Sequence, residues 1–209
     1  MAKLGRIDNE VLRDAGLALM RENGKPLTRR PSSGRSMLYS MPNGESVRVR
    51  TSNDHILVVV ADKPTPDAHL NIQGTDWLLI VMPEVERAEG KVIAYLVPAK
   101  EAEEAVRASH RAWLSSNPET KGRNTTWNLW FDHSYSGMAG REEMHGYAEK
   151  WAMYRLSGDI STEDIARLFS GRPNDMGSIQ AEVEVARQRI ARAASVSPDA
   201  VKISVDFTA

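Results

Sequence analysis

Apolar positions recur at helical spacing near the start of the chain, then give way to alternation and to short unbroken runs. Val11, Leu12, Ala15 and Leu19 follow the helical repeat, so residues 8–22 are expected to form a helix capped by Asp8 or Asn9. Asn23-Gly24 stops it, with Pro26 just beyond. The stretch 28–35 (Thr-Arg-Arg-Pro-Ser-Ser-Gly-Arg) reads as loop. Residues 36–41 and 46–51 flank Pro42-Asn43-Gly44-Glu45, and Asn-Gly is a hairpin signal because both residues tolerate positive φ. In the second arm Val47 and Val49 alternate with Ser46, Arg48 and Arg50, which puts the two arginines on one face. The runs 56–61, 77–82 and 92–97 are continuously apolar, as expected of strands covered on both faces. Residues 99–114 read as a helix, 126–131 as a short aromatic strand and 144–154 as another helix. Past Gly158-Asp159, read as a domain boundary, two helices (161–170 and 179–194) and an alternating strand (201–207) are expected. The expected class is therefore α/β: a mixed central sheet flanked by helices over residues 1–158, and a small α+β C-terminal domain over 159–209.

Composition adds limits. The chain has 209 residues, 41% of them hydrophobic and 26% charged, which suits a globular protein and is too apolar for a disordered one. No apolar run approaches a membrane span and the N-terminus has no stretch resembling a signal peptide, so a soluble cytoplasmic protein without a membrane partner is expected. The absence of cysteine excludes disulfides, thiolate metal sites and cysteine nucleophiles. Net charge is −1, which argues against a polybasic binder. The charge is unevenly spread, however. Between Lys25 and Arg50 there are six basic residues against the single acid Glu45, whereas Asp159 onward carries six basic and eight acidic residues. An anionic partner would meet the early segment.

The order of elements, with Tyr39-Ser40-Met41, Gly44 and Val47-Arg48-Val49-Arg50-Thr51, then Thr75-Asp76-Trp77 and Tyr95-Leu96-Val97-Pro98, resembles the PD-(D/E)xK nuclease superfamily. The similarity is to the branch that includes group I intron-type homing endonucleases, and it covers about residues 8–115. In that branch the first strand ends in a carboxylate, and Val-(Gln/Glu)-Val-Lys-Thr brings a metal-binding group and a lysine to one strand face. The resemblance implies a restriction-endonuclease-like fold. It also exposes three departures. Ser40 stands at the carboxylate position, Arg48 at the metal-ligand position and Arg50 at the lysine position. Two adjacent guanidinium groups repel Mg²⁺ and never trade protons near neutrality, yet they match phosphate oxygens in a bidentate fork. The implied protein is a nuclease scaffold that has lost its metal and kept a nucleic-acid surface.

The expected function is thus nucleic-acid binding, most naturally of DNA, by a regulatory or accessory pseudo-nuclease without catalytic residues, metal or cofactor. Arg29, Arg30, Arg35, Arg48 and Arg50 form the main surface, joined by Lys121 and Arg123 from a segment that interleaves basic residues with Trp127 and Trp130. Two alternatives stand beside it. One is a metal-dependent endonuclease with its acidic site relocated among Asp54, Asp62, Asp67, Asp76 and Glu84. The other is a protein-interaction module, docking a partner protein or forming a homodimer. Alternating Val-Arg-Val-Arg is also what a half-exposed strand looks like with no ligand at all. The five histidines (His55, His69, His110, His133, His145) show no metal-ligand spacing, and His110 with Trp113 is expected to pack. The two tail helices carry Arg187, Arg189 and Arg192 but also Glu182 and Glu184, and read as a packing or oligomerisation unit rather than a helix-turn-helix.

Overall fold

Asp8 accepts a hydrogen bond from the Glu10 amide (2.8 Å) and so fixes the start of helix α1, Asn9–Glu22. Its end is closed by Gly24 at φ +70°, with the Lys25 amide bonded back to the Met20 carbonyl. The computed structural model describes residues 5–30, 38–120, 122–132 and 142–165, and in the C-terminal part only 187, 190, 197 and 200–203. The chain divides into two compact units, Met1–Ile165 and Ala166–Ala209.

After α1 come strands β1 (Thr28–Arg29), β2 (Leu38–Ser40), β3 (Ser46–Thr51), β4 (Ile56–Val60), β5 (Trp77–Pro83) and β6 (Val92–Pro98). Helix α2 (Ala99–Ser116), strand β7 (Thr126–Trp130) and the short helix α3 (Tyr147–Lys150) follow. Five strands make one mixed sheet in the order β1-β2-β3-β5-β6, in which β3 and β5 run parallel and the other neighbours antiparallel. Strands β4 and β7 form a separate antiparallel pair. The α/β class with a mixed, helix-flanked sheet is as the sequence implies.

Strand β5 is apolar and buried nearly throughout because it is covered on both sides. On one side α1 lies across β3, β5 and β6, and Gly16 meets Val81 so closely that an added Cβ would stand 2.4 Å from Val81 Cγ2. On the other side Leu78, Ile80 and Met82 share a core with Ala102 and Val106 of α2 and with Leu57, Val59, Trp127 and Leu129 of the small sheet. Asp76 joins the parts. Its carboxylate accepts from the backbone N–H (2.8 Å) and hydroxyl (2.7 Å) of Ser46, and its carbonyl accepts from the first amide of α2 (2.9 Å).

Several expectations need correction. The run 56–61 is not covered on both faces: Leu57 and Val59 are buried, but Val58 and Val60 are each 46% exposed. Residues 144–154 are not one helix, because after α3 the backbone leaves helical geometry at Trp151 and makes a single 3-10 turn over Ala152–Tyr154. Thr28 and Arg29, expected in a loop, pair with β2. Of the expected strand 201–207, residues 201–203 carry no strand structure and the rest lie outside the described residues. The segment after Gly158 does not depart from the first unit at once: the Val92 amide bonds to Ile160 (2.9 Å) and the Thr162 amide to Gly90 (2.8 Å). Of the two expected tail helices, residues 162–165, Arg187 and Ile190 are described and helical, and the rest lie outside the described residues. Among the described residues no helix is long and apolar enough to cross a membrane.

Seating α1 on β5 requires a residue without a side chain at position 16. Gly16→Ala is expected to lower stability by about 1–3 kcal/mol through overpacking against Val81, despite alanine's better helix propensity. Gly5→Ala, which meets nothing within 4 Å, is expected to leave the urea midpoint unchanged. Equal midpoints for the two variants would contradict the close seating.

Candidate phosphate-binding cleft

Register decides which of the predicted arginines belong together. Paired residues of neighbouring strands share a face. Arg48 lies opposite Leu38 on β2 and Leu78 on β5, and Arg50 lies opposite Ile80. Both therefore occupy the face that carries α2 and the small sheet. Arg30 continues the row, with its amide bonded to the Leu38 carbonyl (2.9 Å), and its charge reaches Asp76. Arg29 does not: its register with Tyr39, itself opposite Val47, places it on the other face. Arg123 sits in an exposed turn ahead of β7, its amide bonded to Thr120 (3.0 Å), away from the cleft that Arg50 borders. Arg35 and Lys121 lie outside the described residues.

Arg48 and Arg50 are both half-buried, so neither is the freely solvated side chain of an ordinary alternating strand. Burial holds both guanidinium groups below the usual arginine range, and the charge of Arg48 lowers Arg50 further. Arg50 donates through Nη2 to the Asn71 carbonyl (2.9 Å), while its Nε is buried with no hydrogen-bond partner. Among the described residues no carboxylate forms an ion pair with it. A desolvated cation held by one neutral carbonyl is poorly compensated, and a nearby anion would lower its energy.

The space for such an anion is present. Arg50 borders a cleft of about 220 Å³ that also meets Arg6, Asn9, Ser52, Asn53 and Asp54, the last with its carboxylate paired to Arg87. Arg6 is held there by its neighbour. The buried Asn53 side chain accepts from the Ile7 amide (2.9 Å) and donates to the Ile7 carbonyl (3.0 Å), pinning the segment before α1 to the loop after β3. Charge density in the sequence does not single out Arg6, which lies well before the basic segment. The first turn of α1 adds the positive end of a helix dipole through Asn9.

The five acids considered for a relocated metal site are not brought together. Asp54 pairs with Arg87, Asp67 with Lys63 (2.6 Å) and Glu84 with Arg155 (3.3 Å). Asp62 accepts from the His69 amide (2.8 Å), and Asp76 clamps Ser46. The hydrogen bonds to Asp76, first from the Ser46 backbone and then from its hydroxyl, hold its carboxyl below the usual range, and the Lys63 contact lowers Asp67 to about 2. Trp127 is buried rather than available for stacking on bases, lying 4.1 Å from the His110 ring in a nearly parallel stack. His110 also stacks on Trp113 at 6.0 Å, so that pair does pack, and burial lowers the His110 pKa. One histidine departs from expectation: His55 stands beside Glu86 and Asp132 despite the lack of any metal-ligand spacing.

No protein-family model matches the chain, and no curated protein or solved structure shows a significant similarity to it.

The Asp76 clamp gives a pH signature. Its folded pKa is lowered, so its contribution is present above the unfolded carboxylate range and is lost as pH falls through the folded value. Asp76→Asn is expected to cost about 1 kcal/mol at neutral pH, a small figure because the group is exposed and solvent-screened. The gap between the two proteins in chemical denaturation should narrow below about pH 4. A gap that is constant across that range would show that the carboxylate charge adds nothing to the clamp.

Proposed function

We propose that this chain is a nucleic-acid-binding protein, with DNA its expected partner, on a nuclease-like scaffold that is catalytically silent and serves a regulatory or accessory role. The observation that carries the reading is Arg50: a half-buried guanidinium, next to a second arginine and without a carboxylate ion pair among the described residues, at the edge of an open cleft that also meets Arg6. Phosphate oxygens are the ligand chemistry that best suits paired guanidinium forks. The resemblance to PD-(D/E)xK nucleases supports the same reading, because Arg48 and Arg50 stand where that family's metal ligand and lysine would be. Ser40, at the family's carboxylate position, pairs in register with Ser46 and offers no anionic metal ligand. Arg30 extends the basic row across the sheet, which suits a backbone with repeated phosphates better than a single phosphate.

A salt-titrated gel shift with duplex and single-stranded DNA tests this. Arg48→Ala combined with Arg50→Ala is expected to weaken binding about tenfold or more. It should also flatten the slope of log affinity against log salt by about 0.9 for each duplex phosphate that the protein no longer neutralises. Arg6→Gln, at an exposed position where folding is not at stake, should shift affinity and slope in the same direction by a smaller amount. Circular dichroism of each variant separates weakened binding from damaged structure. Unchanged affinity and slope at low salt in both variants would rule the cleft out as a nucleic-acid site.

A further inference from the structure

A second cleft, of about 230 Å³, adjoins the arginine cleft through Asp54 and Ile56, and its floor is built around His55. The His55 ring is buried, with 9% of its side chain exposed. Its Nε2 lies 2.6 Å from the Pro83 carbonyl at the end of β5. A carbonyl oxygen only accepts, so Nε2 donates to it, and Nδ1, directed at the Asp132 carboxylate, is the ring atom that a cation would take in exchange for a proton. Nδ1 is 2.8 Å from Asp132 Oδ2, and ligand atoms of His55, Glu86 and Asp132 all lie within 4.8 Å of one another.

Three separate loops supply these groups, and each is held by backbone bonds. His55 precedes β4 with a left-handed backbone (φ +46°), and its carbonyl accepts from Phe131 (2.9 Å), the residue before Asp132. Glu86 lies in the turn between β5 and β6, and the next residue, Arg87, is again left-handed (φ +55°) with its amide bonded to Asn53 (3.0 Å). Arg87 is the cation that could otherwise neutralise the site, but its guanidinium is turned to Asp54. Arg87 lines the cleft, yet among the described residues its ion pair is with Asp54 and not with Glu86 or Asp132. A histidine whose far nitrogen donates to a fixed carbonyl is the arrangement that orients metal-ligating imidazoles.

We propose that His55 Nδ1, with the carboxylates of Glu86 and Asp132, binds one divalent first-row cation of the Zn²⁺ or Mn²⁺ type. One imidazole and two carboxylates favour such ions over Mg²⁺ and Ca²⁺, which take oxygen ligands alone. Bonds of about 2.1 Å to one ion bring ligand atoms to about 3–3.5 Å apart, a closure that the exposed Glu86 makes by side-chain rotation. Three protein ligands leave coordination positions open toward the cleft. The site stands independently of the nucleic-acid reading, since none of its three ligands borders the arginine cleft.

Calorimetric titration of the metal-stripped 209-residue chain with Zn²⁺, Mn²⁺ and Mg²⁺ tests it. One Zn²⁺ or Mn²⁺ per chain is expected, with Mg²⁺ much weaker. Glu86→Gln, at an exposed position, should weaken binding at least about tenfold. Glu84→Gln, on the same turn but paired with Arg155, should leave it unchanged. Asp132→Asn should weaken it as well, and a Co²⁺ absorption spectrum would report removal of a ligand separately from any damage to the fold. No saturable binding below about 1 mM, or equal affinities in Glu86→Gln and Glu84→Gln, would overturn the proposal and leave His55–Asp132 as a plain hydrogen bond.

Discussion

Burial of β5 on both faces is the constraint from which the rest of this architecture follows. A strand of seven residues with almost no exposed side chain needs a layer on each side. Helix α1 supplies one layer, approaching closely enough that position 16 has no room for a side chain. Helix α2 and the β4–β7 pair supply the other. Strand β3, parallel to β5 and in register with it, inherits the same two faces. Its valines go under α1, and its arginines go beside Leu78 and Ile80 at the margin of the second core. The half-burial of Arg48 and Arg50 is thus a consequence of the neighbouring strand's apolarity, not of anything in the Val-Arg-Val-Arg repeat itself.

Much of this frame is legible in the sequence, for local reasons. The ends of α1 are written in Asp8 and in Asn23-Gly24, and β3, β5, β6 and α2 follow patterns that tertiary packing reinforces. Failures arise where a pattern has two physical causes. Three consecutive valines at 58–60 read as a strand covered on both faces, yet only one face of the β4–β7 pair lies on the core, and Val58 and Val60 face outward. Tyr147, Trp151 and Tyr154 fall at helical spacing, but two of these rings are drawn into the cluster around Phe131 and the helix ends early.

The candidate sites are less legible than the frame. The arginine pair is visible because i and i+2 on a strand must share a face. Arg6 is not visible, because what brings it to the cleft is a buried asparagine that holds the next residue, Ile7, from 46 positions away. The His55 cluster has no sequence signature either, since His55 and Asp132 are 77 residues apart and meet only when β4 pairs with β7. The separation of Arg29 from Arg30 can be read only from register, which neither charge nor spacing encodes.

Asn71 links the central sheet to the small one. Its carbonyl is the acceptor for Arg50, while its own amide bonds to the Val60 carbonyl (2.9 Å) and its side-chain oxygen accepts from the Val60 amide (3.1 Å). One arginine of the central sheet is thereby tied, through a single residue, to the outer edge of the β4–β7 pair. A ligand that drew the guanidinium away would strand that carbonyl, whereas a ligand that used only the remaining N–H groups would tighten the tie. The same bond is therefore both a strut of the fold and a filter on ligands, favouring those that approach Arg50 from the side Asn71 does not occupy.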